Sequence, residues 1–193
     1  EVIPVEYRLS DVLIDMIAMS KARMLKKSLK LHAEIDEDIP NCLWGDDMRI
    51  RQIITNLLTN AIKYTHEGSI TLRLKKVNID TQTKIVVLRV EVEDTGIGIR
   101  SEDIDKLLDS FTRIDEKRNR NIEGTGLGMS ITANLLELMN SKLTIQSEYG
   151  KGSVFSFELE QGIRGDENIG KLEEKNFKEG SRPEDNDYAV IPA

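Results

Sequence analysis

Two hydrophobic periods alternate along this chain, and that alternation restricts its fold more than any other feature of the sequence. Apolar residues recur at helical spacing in three segments, at about 10–27, 48–64 and 127–139. Apolar and polar residues alternate, as in strands with one buried face, at 29–35 and in the hairpins 70–93 and 143–160. Each helix must bury its apolar stripe against another element, here the apolar face of a sheet. We therefore predict an α/β fold, a two-layer sandwich in which a mixed sheet of about five strands packs on three helices.

Short polar signals predict where the helices begin. Ser10 and Asp11 can cap the first helix, and Asp46 and Asp47 precede the second. Residues 112–126 are polar, basic and end in glycines, which predicts a long loop before the third helix.

Composition limits the partners of the chain. Its 193 residues suit one domain with a tail, and the net charge of −7 argues against general binding to nucleic acid or to an anionic membrane surface. Cys42 is the single cysteine, so neither an internal disulfide nor a cysteine-based zinc site can form. No apolar stretch of the sequence reaches the length of a membrane span.

The character of the sequence changes near residue 160. Residues 1–160 carry all the periodic segments and are expected to form the domain. Residues 161–193 are acidic, mostly polar and without a period, which predicts a disordered linker toward a further domain.

The second predicted helix carries a polar stripe beside its apolar one. Asn56, Asn60 and Lys63 are four and three residues apart, so they share one side of the helix. Asparagine is unfavourable inside a helix, because its amide competes for backbone hydrogen bonds. One interpretation is a set of amide oxygens for Mg²⁺ with a cation for phosphate. The alternative is an ordinary solvated helix side, and the spacing alone does not choose between them.

A carboxylate stands at the end of a predicted buried strand. This residue, Asp94, is followed by Gly96 and Gly98, which allow the backbone to turn tightly. A carboxylate only accepts hydrogen bonds, so at the base of a pocket it could bind the amino group of adenine and disfavour the oxygen of guanine. The alternative is an aspartate that stabilises a turn at a strand end.

A glycine-rich segment leads into the third predicted helix. Gly124, Gly126 and Gly128 leave backbone N–H groups accessible, and the positive end of the helix dipole points to the same place, which suits an anion. A flexible hinge is the alternative, and the two roles are compatible. The loop before the glycines carries four cations that are either simply solvated or able to neutralise phosphates: Arg113, Lys117, Arg118 and Arg120.

In their order and chemistry, these segments resemble the catalytic, ATP-binding domain of sensor histidine kinases. "NLLTNAIKYT" is similar to the N box of that family, "DTGIGI" to its first glycine box, "SFTRID" to its phenylalanine box and "GTGLGMSI" to its second glycine box. The resemblance runs from Val5 to Glu160. It implies the Bergerat-type ATP-binding fold of the GHKL superfamily, shared with gyrase-type topoisomerases and heat-shock chaperone ATPases.

The resemblance also implies a role for each matching residue. Mg²⁺ would be bound by Asn60 with Asn56, and Asp94 would hold the adenine amino group. Asn60, Lys63 and Arg113 would take part in phosphoryl transfer. Contacts to the nucleotide would come from Asn56, Asn60, Lys63, Tyr64, Asp94, Gly96, Ile97, Gly98, Phe111, Arg113, Lys117, Gly124, Thr125, Gly126, Leu127 and Gly128.

The implied function is binding of Mg-ATP and transfer of its γ-phosphate to a histidine in two-component signal transduction. In the ATP-hydrolysing relatives, a glutamate four residues before the metal asparagine activates water. Asn56 stands at that position here and cannot accept a proton, which favours a histidine kinase. The alternatives are a GHKL ATPase, a non-catalytic nucleotide-sensing domain, and a structural domain that binds no nucleotide.

The partners follow from the same resemblance. No histidine followed by an acid lies on an amphipathic helix of this chain, so we expect the phosphoacceptor on a separate helical dimerisation domain. A response-regulator receiver domain is the second expected partner, with a hybrid kinase as the parent. The chain itself is expected to be a monomeric cytoplasmic domain, whether or not that parent is anchored in a membrane.

Overall fold

The computed structural model describes residues 2–104, 107, 127–172 and 189–190. The long helices in this part of the chain are α1 (Leu9–Met24), α2 (Asp47–Tyr64) and α3 (Leu127–Leu138), and residues 101–104 are also helical. The same residues form eight strands: β1 (Val5–Arg8), β2 (Ser28–Ile35), β3 (Cys42–Gly45), β4 (Glu67–Asp80), β5 (Ile85–Asp94), β6 (Thr144–Glu148), β7 (Gly152–Ile163) and β8 (Ala189–Val190).

All the strands belong to one mixed sheet, in the order β1-β3-β7-β5-β4-β2-β8, and β6 pairs with the first part of β7. β5 pairs antiparallel with both β4 and β7, whereas β2 runs parallel to β4. The predicted α/β fold with a mixed sheet is therefore confirmed. The strand count exceeds the prediction because short strands such as β3 and β8 contain too few residues to show a period.

The centre of the core lies between α2 and the apolar face of β4 and β5. Ile70 and Leu72 of β4 are fully buried, as are Val86 and Val92 of β5, in agreement with the predicted inward face of this hairpin. The apolar stripe of α2, which includes Ile53, covers that face. Among the described residues, no helix combines the length and the apolar character that crossing a membrane requires.

The opposite face of the sheet is polar, and Arg73 of β4 is the centre of its ion pairs. The guanidinium lies 2.6 Å from the carboxylate of Glu34 on β2 and 3.9 Å from that of Glu91 on β5, and it also contacts Glu93. Opposite charges on neighbouring strands support the pairing of those strands. The charges on the polar face of β4 and β5 are thus complementary.

The first helix takes its cap from a residue far along the chain. Arg8 occupies the N-cap position without a side-chain bond, and the prediction of a cap at Ser10 and Asp11 was wrong, because α1 already begins at Leu9. The buried Asn41 provides the acceptors instead. Its Oδ1 accepts the N–H of Ser10 at 2.9 Å, and its backbone oxygen accepts the N–H of Leu9 at 2.8 Å. These bonds satisfy donors that are otherwise unpaired at a helix start.

The folded part of the chain continues past Glu160, where the sequence was predicted to leave the domain. β7 extends to Ile163, and residues 164–172 then follow the loop between β2 and β3 through backbone hydrogen bonds. Ile169 and Leu172 are only 8% and 4% exposed. Two apolar residues at this spacing form no recognisable period, so composition alone could not reveal their burial. The assignment of 173–193 to a linker stays a prediction.

We expect residues 164–172 to stabilise the domain. Truncation after Ile163 should lower the free energy of unfolding by about 2–4 kcal/mol relative to truncation after Leu172, because burial of an aliphatic side chain contributes roughly 1.5–3 kcal/mol before the cost of ordering the segment. Urea denaturation followed by circular dichroism measures this difference. The chain that ends at Leu172 is the matched control, and equal midpoints for the two truncations would contradict the expectation.

Candidate functional site

A cavity of about 380 Å³ opens where the end of β5 meets α2 and the start of α3. Its walls are mostly apolar, with polar groups at a few points, which is the usual character of a small-molecule site. The lining residues are Asn60, Ala61, Tyr64, Asp94, Ile97, Gly98, Ile99, Arg100, Asp103, Leu107, Met129, Tyr149, Ser153 and Phe155.

Asp94 supplies the buried acid of this cavity. It is the last residue of β5 and pairs with Ile70 on one side and Ser153 on the other. The residue is 6% exposed, and its Oδ1 accepts the N–H of Gly96 at 2.8 Å. Burial raises the pKa of the Asp94 carboxyl, although the donors of Gly96, Thr65 and Ser153 act in the opposite direction. The cavity therefore holds an acceptor that is short of compensating donors.

The turn after Asp94 fits its place because two of its residues have no side chains. A Cβ on Gly96 would lie 2.5 Å from the backbone oxygen of Tyr64, and one on Gly98 would lie 2.1 Å from the backbone oxygen of Glu148. Gly98 also has a φ of +66°, which other residues rarely adopt. The turn is thus packed between the end of α2 and the end of β6.

Helix α2 is held at both ends, and this fixes the residues that it directs toward the cavity. At the start, Oδ1 of Asp46 accepts the N–H of Arg49 at 3.0 Å, which confirms the predicted start signal. At the end, the Lys27 ammonium donates to the backbone oxygen of Ile62 and lies 3.4 Å from that of Thr65. A cation is favourable here because the helix C-terminus carries partial negative charge.

Tyr64 and Lys63 lie together at the C-terminal end of α2. The Tyr64 ring lines the cavity, and its buried hydroxyl oxygen has no hydrogen-bond partner among the described residues. The Nζ of Lys63 is 5.3 Å from the centre of this ring, within the range of a cation–π interaction. An aromatic wall with a cation beside it is suited to a flat ligand that carries negative charge.

The two asparagines of the polar stripe have different surroundings. Asn60 lines the cavity directly. Asn56 lies one turn earlier, where its Nδ2 donates toward the backbone oxygen of Gly128 at 3.4 Å and toward the hydroxyl of Thr132 at 3.3 Å. These contacts connect α2 to the first turn of α3. They use the amide donors of Asn56 and leave its carbonyl oxygen as an acceptor.

The structure brings a group of the predicted site residues to one cavity and leaves others beside it. Those that line the cavity are Asn60, Tyr64, Asp94, Ile97 and Gly98. Asn56, Lys63 and Gly96 are adjacent but do not line it, Leu127 begins α3, and Gly128 accepts the Asn56 amide. The remaining predicted residues lie outside the described part of the chain: Phe111, Arg113, Lys117, Arg118, Arg120, Gly124, Thr125 and Gly126.

Sequence reasoning missed the residues that complete the walls. Met129 comes from the first turn of α3, and Phe155 and Ser153 come from β7, which pairs with β5 beside Asp94. The alternating pattern of the last hairpin could have identified Ser153 and Phe155, because residues two apart in a strand face the same side of the sheet. The contribution of Tyr149, at the turn between β6 and β7, has no comparable signal.

Arg100 and Tyr149 form the outer rim of the cavity. The Arg100 guanidinium lies 4.8 Å from the centre of the Tyr149 ring. Backbone bonds strengthen this connection, since the N–H of Gly150 donates to the oxygen of Ile97 at 2.8 Å. The turn after β5 and the turn before β7 therefore form one rim.

A model of the "Histidine kinase-, DNA gyrase B-, and HSP90-like ATPase" family matches residues 45–163. The chain belongs to this family. The match begins at the end of β3 and includes every described residue of the cavity.

Curated members of the family resemble the chain over most of its length. Hybrid signal transduction histidine kinase B of Dictyostelium discoideum is 37% identical over 84% of this chain, and sensor protein GacS of Pseudomonas syringae pv. syringae is 37% identical over 80%. The matched regions are only 8% and 17% of those proteins. This chain therefore corresponds to one part of much longer histidine kinases.

Solved structures of family members share the fold. The catalytic domain of histidine kinase ThkA, in a nucleotide-free form, has a TM-score of 0.62 and 25% identity, and the match covers 82% of this chain and 95% of that one. Full-length ShkA in complex with AMPPNP has a TM-score of 0.67 and 24% identity, over 86% of this chain and 32% of that one. The architecture of the chain is that of a histidine kinase catalytic domain.

Alanine in place of Gly96 should destabilise the turn that holds Asp94. The added methyl group would meet backbone at 2.5 Å, and we expect a loss of about 1–3 kcal/mol in the free energy of unfolding. Gly128→Ala is the matched control, because nothing lies within 4 Å of its Cβ and alanine favours the helix by up to about 1 kcal/mol. Thermal unfolding of both variants measures the contrast. A Gly96→Ala variant as stable as Gly128→Ala would contradict the packing described.

Proposed function

We propose that this domain binds Mg-ATP and transfers the γ-phosphate to a histidine on a separate helical dimerisation domain in two-component signal transduction. The observation that carries the proposal is the buried Asp94 carboxylate, which faces an apolar cavity with Asn60 at another part of its wall. Membership of the histidine kinase-like family supports the same chemistry.

The base of the nucleotide would occupy the apolar part of the cavity. Asp94 would accept the exocyclic amino group of adenine, while Tyr64 and Ile97 would lie against the ring. Guanine presents an oxygen at the same edge, so the carboxylate would face another acceptor and disfavour it. A donor from the ligand would also compensate the burial that raises the pKa of Asp94.

Magnesium fits the side chains at the other end of the proposed site. Among the described residues, no cluster of three His, Cys, Asp or Glu side chains could hold a metal ion. The amide oxygens of Asn60 and Asn56 are neutral ligands, as suits an ion that shares its coordination with phosphate oxygens. When bound, Mg²⁺ would neutralise negative charge on the phosphates.

The remaining phosphate contacts would come from Lys63 and from the segment before α3. The Nζ of Lys63 lies over the ring of Tyr64, which lines the cavity. The N-terminus of α3 carries partial positive charge and begins at Leu127, directly after the predicted glycine cradle. Arg113 and Lys117 are proposed as further cations, together with Phe111 as the anchor of the preceding loop.

The proposed chemistry is transfer without activation of water. The bond between the γ-phosphorus and the bridging oxygen of ADP breaks, a bond from phosphorus to an imidazole nitrogen forms, and the imidazole proton leaves to solvent. Asn56 cannot act as a general base, and its Nδ2 is directed to Gly128 and Thr132. The domain would contribute by positioning the nucleotide and neutralising its charge.

The partners of the domain are part of the proposal. The phosphoacceptor histidine would be on a helical dimerisation domain of the same kinase, and a response-regulator receiver domain would accept the phosphate in turn. The names of the hybrid and sensor kinases among its relatives support this arrangement. We propose a cytoplasmic location for the domain.

Asp94→Asn should weaken ATP binding by about 10–100-fold, because a hydrogen bond to a charged group contributes roughly 1.5–3 kcal/mol. Isothermal titration with Mg-ATP measures the change. Mg-GTP is the matched ligand control: the original domain should prefer ATP, and the preference should shrink in the variant. Unchanged ATP affinity in a folded variant would contradict the role of Asp94.

The same substitution should not weaken the nucleotide-free fold. Because the pKa of Asp94 is raised in the folded state, the folded domain binds this proton more tightly than the unfolded chain does. The tighter binding of this proton contributes to the free energy of unfolding. The contribution is fully present below the ordinary pKa of about 3.9, and it is lost as the pH rises through the raised pKa of the folded state. At pH 7, Asp94→Asn should therefore melt at a temperature no lower than the original, and any advantage should disappear near pH 4.

The transfer step can be tested by adding a separately produced helical dimerisation domain to this chain. With Mg-ATP, we expect phosphate to become bound to histidine on the added domain and almost none to be released as free phosphate. Asn60→Ala should abolish the transfer that Mg²⁺ supports, whereas Asn134→Ala, at an exposed position of α3, should not. Release of free phosphate at a comparable rate without the added domain would favour a GHKL ATPase instead.

A further inference from the structure

Thr65 places a buried hydroxyl directly behind the site. It is the C-cap residue of α2, where its backbone N–H donates to the oxygen of Ala61 at 3.1 Å. The residue is 0% exposed, and its hydroxyl has no hydrogen bond of good geometry to any described residue. A buried hydroxyl without a partner costs free energy, so its retention calls for a function or a partner.

The position of this hydroxyl relates it to Asp94 and not to the ligand. A Cβ on Gly96 would lie 2.7 Å from Oγ1 of Thr65 and 2.8 Å from Oδ1 of Asp94, so the two oxygens border the same small space. Thr65 does not line the cavity, whereas Asp94 does. The Thr65 side chain is also among the groups that lower the pKa of Asp94, against the larger effect of burial.

We propose that Thr65 is a positioning residue for Asp94: its hydroxyl donates to the carboxylate and orients it toward the amino group of the bound purine. This inference rests on the proposed function. When one oxygen of a carboxylate accepts a hydrogen bond from a ligand, the remaining lone pairs of that carboxylate need hydrogen-bond donors from the protein. The N–H of Gly96 supplies one such donor, and the Thr65 hydroxyl, which borders the same small space as Oδ1 of Asp94, supplies the other.

The geometry explains why this donor is at the end of α2. Thr65 follows Tyr64, which lines the cavity, and Lys27 approaches the backbone oxygens at this end of the helix. The donor to the carboxylate and the aromatic wall for the base are therefore consecutive residues at one helix end.

The first test measures Asp94 without nucleotide. Carboxyl-carbon NMR titration gives its pKa in the original domain and in Thr65→Val, which removes the donor with little change in shape. We expect the pKa to rise by about half a unit to one unit in Thr65→Val and to return in Thr65→Ser, which keeps the hydroxyl. Thr71→Val is the matched control. Thr71 is a buried threonine, but it lies on the face of β4 opposite to Ile70, the residue that pairs with Asp94. Equal pKa values in the valine and serine variants would overturn the proposal.

The second test measures nucleotide binding over a range of pH. Thr65→Val should weaken Mg-ATP binding by about 5–10-fold at pH 7, and the pH at which affinity falls should move upward, since only the ionised carboxylate accepts the amino group. Thr65→Ser should behave like the original domain. Thr65→Ala is the second variant if the valine form does not fold. An affinity loss in Thr65→Val that is the same at every pH would assign Thr65 to packing alone.

The two tests fail independently. If the original domain binds no Mg-ATP at all, the proposed function is wrong, while the titration of Asp94 still decides whether Thr65 acts on this carboxyl. If the domain binds Mg-ATP and the Asp94 pKa is the same in the valine and serine variants, the proposed function stands and the role of Thr65 does not.

Discussion

A buried carboxylate at the end of a central strand imposes the main constraint on this domain. Water is largely excluded from Asp94, so its ionised form must be supported by donors from the protein or from a ligand. Gly96 can bring its N–H within 2.8 Å only because it has no side chain to meet Tyr64. The net effect still raises the pKa, so the protein alone leaves the charge undercompensated. A ligand that donates a hydrogen bond would correct this deficit.

Helix α2 connects the two ends of the proposed site. It begins at Asp47, where the side chain of Asp46 caps it, and ends where Lys27 contacts its last backbone oxygens. At a rise of 1.5 Å per residue, Asn56 and Tyr64 are separated by about 12 Å along the axis. One rigid element therefore carries both the amides proposed for the metal and the ring proposed for the base. Such a spacing suits an extended ligand with an apolar end and a charged end.

The sequence predicted the parts of the structure that depend on local patterns. The hairpin of β4 and β5 alternates in register, so its buried face could be predicted from residues such as Ile70 and Leu72. The cap of α1 could not be predicted, because Asn41 reaches it from the start of another strand. The packing of residues 164–172 was missed for the same reason, since its partners are distant in sequence.

The candidate site shows the same division. Asn60, Tyr64 and Asp94 belong to compact motifs, and the structure brings all three to one cavity. Residues that complete the walls, such as Met129 and Phe155, look like ordinary core residues in the sequence, because their role arises only from the pairing of β7 with β5 and the approach of α3. Thr65 was missed because the sequence does not reveal that a hydroxyl lacks a partner.

Asn56 shows how one residue can affect both chemistry and structure. A glutamate at this position could take a proton from water, but it could not donate to the backbone oxygen of Gly128. The asparagine removes the base and at the same time provides the donor that connects α2 to the start of α3. In the proposed mechanism, ATP stays intact until a histidine arrives. Both properties would serve this, because water would remain unactivated while the proposed phosphate end of the site stays in position. The geometry around Asn56 therefore supports a kinase better than a hydrolase, independently of the residues that would hold the base.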